Sequence, residues 1–287
     1  MCICAVLLHG HPEFPFVLVH NRDEAWDRET EETKEHDGGL VFARDGEAGG
    51  ACLGVNVISG AIAALTNTRS NVPRPKGKAE PSRGQLVLHA LEHPDAPDGG
   101  DYSAFSLFHG IAAGEDPKLY FSRSWPEQPT DPNEAGKHWR FESSPLPSGC
   151  VACRSNEPSG SAFDDRWPKT KWLREEMAQV MQQQKGEDGP EALRDVLASL
   201  LSTLLGSSTT FGPLFRIGEM TRYQVMGEEI PDITCMQSIM ISSRSRRKVY
   251  FYCRNLANPT QTPGPWQTFE VNWPSALKRK REEEDAS

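Results

Sequence analysis

Long apolar runs are missing from this chain of 287 residues. None approaches the ~18 residues that a membrane-crossing helix needs. The short run Ile3 to Leu8 has no basic residue before it and stops at His9-Gly10-His11-Pro12, so it does not read as a secretory signal. The expectation is a cytoplasmic protein with reduced cysteines. Its seven cysteines are an odd number, which argues against a complete disulfide framework. An excess of positive charge is missing too. A net charge of -9 excludes a general nucleic-acid groove and a general attraction to anionic membranes, leaving room only for a local basic pocket. Metal-ligand spacing is also lacking. Cys150-Val151-Ala152-Cys153 has no second ligand pair, and His9, His11, His20, His36 and His89 show no HExxH pattern, so no metal is expected. No internal repeat is present.

What is there is ordinary for a folded protein. The apolar fraction is 37%, about 45% when glycine is included, and 25% of residues are charged. Cys2 to Leu8 and Phe14 to Val19 flank a Gly- and Pro-bearing turn and predict a hairpin. Folding it about residues 11 and 12 sets Cys2 opposite Asn21, which brings the polar run Asn21-Arg22-Asp23-Glu24 beside the first residues. Cys52 to Val57 and Ala61 to Asn67 flank Ser59-Gly60, a second hairpin. Ser82-Arg83-Gly84-Gln85, followed by Leu86, Val87, Ala90 and Leu91, predicts a capped amphipathic helix.

Further on, residues 103 to 123 and 148 to 155 read as short strands around a Pro-rich loop from Pro126 to Pro147. A helix is predicted from near Asp165 through Trp172, Leu173, Met177 and Val180. A second begins at Pro190, with the stripe Leu193, Val196, Leu197, Leu200, Leu201, Leu204 and Leu205. Cys235 to Ile241 and Lys248 to Arg254 predict a final strand pair. Strands, then helices, then strands is an α+β pattern with a layered core. The expected domain covers residues 1–274. Residues 275–287, with adjacent basic and acidic blocks, read as a disordered charged tail.

Two features carry chemistry. With Met1 removed, Cys2 holds both a thiol and a free α-amine, whose ordinary pKa is ~7.7–8.0, so one residue supplies nucleophile and base. A strand cysteine or, with Cys4, an acylation site are the bland alternatives. In Asn21-Arg22-Asp23-Glu24, a carboxylate orients an ammonium, an arginine holds an anion or stabilises a thiolate, and an amide binds an oxyanion. An ordinary turn is the bland reading of that run.

Met1-Cys2 opening a strand, with Asn21-Arg22-Asp23-Glu24 after it, resembles the NRDE family, whose eukaryotic members are the Transport and Golgi Organisation two proteins. Further stretches in the family's order are Ala48-Gly49-Gly50 with Leu53-Gly54-Val55-Asn56, Leu65-Thr66-Asn67-Thr68-Arg69, Ser82-Arg83-Gly84, Ser155-Asn156, Trp167-Pro168-Lys169 and Ser243-Arg244-Ser245. The resemblance implies a four-layer αββα sandwich of the N-terminal-nucleophile hydrolase type. It implies Cys2 as nucleophile, Asp23 holding its amine, and Asn156 and Asn67 as oxyanion or substrate contacts. Asn21, Arg22, Glu24, Arg69 and Arg244 complete the expected substrate-binding set.

Two functions follow as expectations. One is a cysteine amidohydrolase or thioesterase acting on an anionic or acyl small molecule, without a cofactor. The other keeps the pocket without turnover, as a binding or trafficking protein for an acyl-CoA, lipid or haem, with Cys2 as contact or haem thiolate. The resemblance ties either to Golgi organisation, secretion, lipid homeostasis and haem trafficking. It leaves peripheral membrane, Golgi or mitochondrial association open.

Overall fold

The computed structural model describes residues 2–25, 28–68, 81–95, 102–126, 139–156, 168–184, 188–206, 233–256 and 264–274. The expected charged tail and Arg69 lie outside them. Two large antiparallel sheets and three helices make up the described α+β architecture.

The first sheet runs β10 (Val151–Ser155), β1 (Ile3–Leu8), β2 (Phe16–Ala25), β11 (Ile233–Ser243), β12 (Lys248–Leu256) and β13 (Gln267–Asn272). The second follows chain order: β3 (Lys34–His36), β4 (Leu40–Phe42), β5 (Leu53–Asn56), β6 (Ala61–Asn67), β7 (Phe105–Ile111), β8 (Lys118–Pro126) and β9 (Trp139–Pro145). Three helices accompany them: α1 (Gly84–Glu92), α2 (Pro168–Gln183) and α3 (Gly189–Gly206).

Alternation along β1 and β2 explains how the layers stack. Cys4, Val6, Leu8, Phe16 and Leu18 pack in one core with Val55, Ile62, Ala64 and Phe108, between the two sheets. Their neighbours Ile3, Ala5, Leu7, Val17 and Val19 face the other way, onto Leu173 and Met177 of α2 and Leu193, Leu197 and Leu201 of α3. A third cluster sets Leu86, Val87, Ala90 and Leu91 of α1 against Ala63, Leu65, Phe105 and Leu107 of the second sheet. Strands apolar on both faces are what β1 and β2 show, and both faces are covered.

The first hairpin differs from the expected register by one residue. Leu8 pairs with Phe16 and Ile3 with Asn21, so the turn centres on Pro12. His9, with a positive φ of 52°, closes it by donating its N–H to the Pro15 carbonyl at 2.7 Å. The same register sets Cys2 across from Arg22 rather than Asn21. A slip of one residue exchanges the faces. Arg22 and Glu24 therefore share a face with Cys2, and Asn21 does not.

Other expectations met differences of similar size. The segment read as a Pro-rich loop contains β9, whose outward edge leaves most of its residues exposed. β13 and the short β3 and β4 were not expected at all. The α1 cap is shifted: Arg83 stands at the cap position without a side-chain capping bond, its guanidinium donating instead to the Ala104 carbonyl at 3.0 Å, and Ser82 Oγ accepts from Gly84 N–H at 3.3 Å. Val196, placed in the stripe of α3, is 40% exposed.

Candidate active site

β1 begins and β2 ends beside the start of α1, and a cavity of about 350 Å³ opens there. Cys2, Arg22 and Glu24 form its wall from the first sheet. The segment Ala43 to Cys52 and the end of β6 supply the second wall, and Pro81 to Gly84 closes it. Close backbone approach makes this closure possible. A Cβ on Gly50 would stand 2.5 Å from the Gly84 carbonyl carbon, and one on Gly84 would stand 2.8 Å from the Ala51 nitrogen.

Cys2 is held at the start of its strand. Its carbonyl accepts the Ser155 hydroxyl at 2.7 Å, and its side chain is 8% exposed. Burial pushes the thiol pKa above its ordinary value. The amino-terminal charge and Arg22 pull it down, while Asp23 and Glu24 add to the rise. The resting thiol is thus protonated at neutral pH, and attack requires a base.

Arg22 is buried, which alone would favour its neutral form. The sulfurs of Cys52 and Cys2, with Glu24 and Asp45, outweigh that and hold it charged. Its anchor is Asp45, which accepts Arg22 Nη2 at 2.9 Å. Arg28 grips the same carboxylate with Nε at 2.8 Å and Nη2 at 3.0 Å. The Ala48 N–H adds a bond at 2.9 Å. Burial opposes the charge on Asp45, yet the Arg28 bonds and the Ala48 N–H hold its pKa down at about 2. One carboxylate thus fixes two guanidiniums at the cavity. Cys52 is the second thiol here. Burial, reinforced by Cys2, pushes its pKa up to about 12.

The structure gathers Cys2, Arg22, Glu24 and Asn67 around the cavity. Asp23 stands close enough for its charge to act on the Cys2 thiol. Asn156 joins at the margin, donating Nδ2–H to the Asn67 carbonyl at 2.7 Å. The side-chain oxygens of Asn67 and Asn156 are buried without a hydrogen-bond partner. Asn21 and Arg244 are placed elsewhere. Asn21 faces the helices and donates to the Leu201 carbonyl at 3.1 Å, as the corrected register requires. Arg244 is exposed at the far end of the sheet, where its N–H binds the Glu13 carbonyl at 3.0 Å. Counting along β2 from Phe16 to Arg22, that is roughly 20 Å from the cavity.

Arg28, Asp45, Cys52, Ser82 and Arg83 line the cavity without having been singled out as site residues. Only the glycines after Asp45 and the Ser82-Arg83-Gly84 signature pointed to this wall. Cys150 is exposed and Cys153 lies in the helix-side core, and among the described residues no three metal-ligating side chains cluster. No helix among those residues is long and apolar enough to cross a membrane.

Fold and site together define an α+β protein with a thiol-bearing polar cavity at the edge of two stacked antiparallel sheets. The chain belongs to the Transport and Golgi organisation 2 family, whose sequence profile matches residues 1–250. No curated protein matches it.

Proposed function

We propose that the cavity is an acyl-transfer site of the N-terminal-nucleophile type, hydrolysing an amide or thioester bond in a small anionic substrate. The stacking of α2 and α3, two sheets and α1 supports reading the fold as the αββα sandwich that such sites use. The observation that carries the proposal is Cys2 at the head of β1, lining the cavity beside an Arg22 that Asp45 holds at 2.9 Å.

Once Met1 is removed, the α-amine of Cys2 takes the thiol proton, directly or through one water. Arg22 stabilises the thiolate, and Asp23 orients the resulting ammonium. The sulfur attacks the carbonyl carbon. The ammonium returns the proton to the departing amine or thiol, leaving an acyl-enzyme. Water, deprotonated by the same amine, releases the acid and restores the thiol. Asn67 and Asn156 border the oxyanion position, and Arg28 and Arg83 meet a substrate carboxylate or phosphate. Ala43, Ala51 and Leu65 offer the acyl group a small apolar surface. The family's name supports reading this chemistry within Golgi organisation and secretory transport.

A haem fits these residues poorly. A porphyrin needs apolar walls on both faces, and here Arg22, Glu24, Arg28, Asp45 and Arg83 line the space beside Cys2.

The test is mass analysis of the mature N-terminus with limiting thiol-reactive acyl probe. A Cys2 start and acylation at Cys2 ahead of the other cysteines are expected, with both lost in Cys2→Ala. A retained Met1, or labelling spread evenly over the thiols, overturns the mechanism.

A further inference from the structure

We propose that Cys52 is a resolving cysteine: a peroxide oxidises Cys2, and a reversible Cys2–Cys52 disulfide then closes the cavity. This rests on reading Cys2 as the reactive thiol of the acyl-transfer site, and it adds a regulation of that site.

Placement carries the argument. Cys2 reaches the cavity from the six-stranded sheet, and Cys52 reaches it from the seven-stranded one, just before β5. Both are free thiols, Cys2 buried and Cys52 half-buried, and the cavity that both line is the route for a small oxidant. One guanidinium serves the pair, since Cys52 and Cys2 are the two groups that most favour the charge on Arg22. Whichever sulfur ionises finds the same cation beside it.

Two other cysteines lie nearby, and neither competes. Cys4 is fully buried and sits two residues along the same strand as Cys2. Its side chain runs parallel to that of Cys2 at ~6.6 Å along the strand, without the convergence a disulfide needs. Cys153 points into the helix-side core, across the sheet from the cavity. Among the described cysteines, Cys52 alone shares the cavity with Cys2.

The chemistry balances with hydrogen peroxide as oxidant. The Cys2 α-amine takes the thiol proton, the thiolate attacks one peroxide oxygen, the O–O bond breaks, and the departing hydroxide takes that proton back as water. This leaves a sulfenic acid on Cys2. The Cys52 sulfur attacks that sulfur as its thiol proton passes to the leaving hydroxyl, so an S–S bond forms and a second water departs. Two thiols lose two electrons, and peroxide gains them. A dithiol reductant restores both. While the bridge stands, Cys2 has no thiol with which to attack a substrate, and it is shielded from irreversible oxidation to the sulfinic acid.

The experiment uses the full chain, reduced, then exposed to hydrogen peroxide, alkylated and peptide-mapped. The expected result is a Cys2–Cys52 linked peptide lighter by two hydrogens, loss of alkylation at Cys2, and recovery with dithiothreitol. In Cys52→Ser, Cys2 instead proceeds to the sulfinic acid, and its alkylation does not return. Cys52→Ala repeats the comparison should the serine variant fold poorly, and the wild-type map stands without either. Cys4→Ser retains the bridge. Irreversible loss of Cys2 in the wild type at the rate seen in Cys52→Ser, or a bridge to any other cysteine, overturns the proposal. The acyl probe on reduced protein separates the two readings. Labelling at Cys2 without a bridge overturns only this inference. A bridge in a chain whose reduced Cys2 takes no probe overturns only the acyl-transfer reading.

Discussion

Asp45 sets the position of two arginines with one carboxylate, and its removal separates a structural role from a chemical one. Asp45→Asn leaves Arg22 buried against a neutral amide and loosens Arg28. It should cost about 2 kcal/mol of stability, less than a fully buried pair because the site touches solvent. It should also move the pH profile of Cys2 alkylation upward, since Arg22 then no longer stands fixed beside the thiol. A loss of stability with an unmoved profile would show that Asp45 only braces the loop.

His20, fully buried between the sheets, behaves in the opposite sense to an exposed histidine. Burial, with the charge of Arg22, lowers its pKa from 6.5 to about 3. Between those values the unfolded chain binds a proton that the folded chain refuses, so stability falls as pH drops through the window. The limit is roughly 5 kcal/mol. Urea unfolding at pH 7 and at pH 4.5 measures it, and His20→Gln should flatten the difference. At this scale the sequence was half legible. Cys2 and Arg22 stood out by type and position. Asp45 and Cys52 did not, because a carboxylate and a thiol acquire meaning here only through partners on another sheet.

Among elements, α3 shows what a buried stripe contributes. Leu197 is fully buried while Val196, one position away, is 40% exposed. Leu197→Ala should destabilise by about 3 kcal/mol, whereas Val196→Ala should stay within about 0.5 kcal/mol. Calorimetric midpoints of the two variants, compared at equal pH, check the contrast. A 3.6-residue period made α3 readable, and two-sided apolar runs did the same for β1 and β2. β9 escaped because its residues are mostly exposed, and an edge strand carries little hydrophobic pattern. β13 alternates weakly, with Phe269 and Val271 facing the core and polar residues between. The register of the first hairpin depended on a turn whose centre no periodicity marks, and that one-residue difference decided which of Asn21 and Arg22 faces the cavity.

For the whole molecule, the α+β class and the pairing of β1 with β2 and of β11 with β12 were legible, because those strands are among the most apolar. The stacking of the sheets, and with it the cavity, was not, because it depends on contacts between segments far apart in the chain. The two ends of the first sheet are also treated differently. At the turn end, Glu13 accepts the hydroxyls of Ser243 and Ser245 at 2.6 and 2.7 Å, joining one hairpin to the next. At the cavity end, the Ser155 hydroxyl donates to the Cys2 carbonyl at 2.7 Å.

The strand order has a temporal meaning as well. β1 lies between β10 and β2, and β2 in turn between β1 and β11. On the ribosome, Cys2 emerges long before Ser155, which binds its carbonyl, and longer still before Ile233–Ser243, which covers the other side of β2. Such non-local pairing is slow to form. The thiol at the head of β1 is therefore made well before the strands that flank it are in place. During that interval a modifying enzyme can reach it as part of an open chain, and after that only what fits the cavity can.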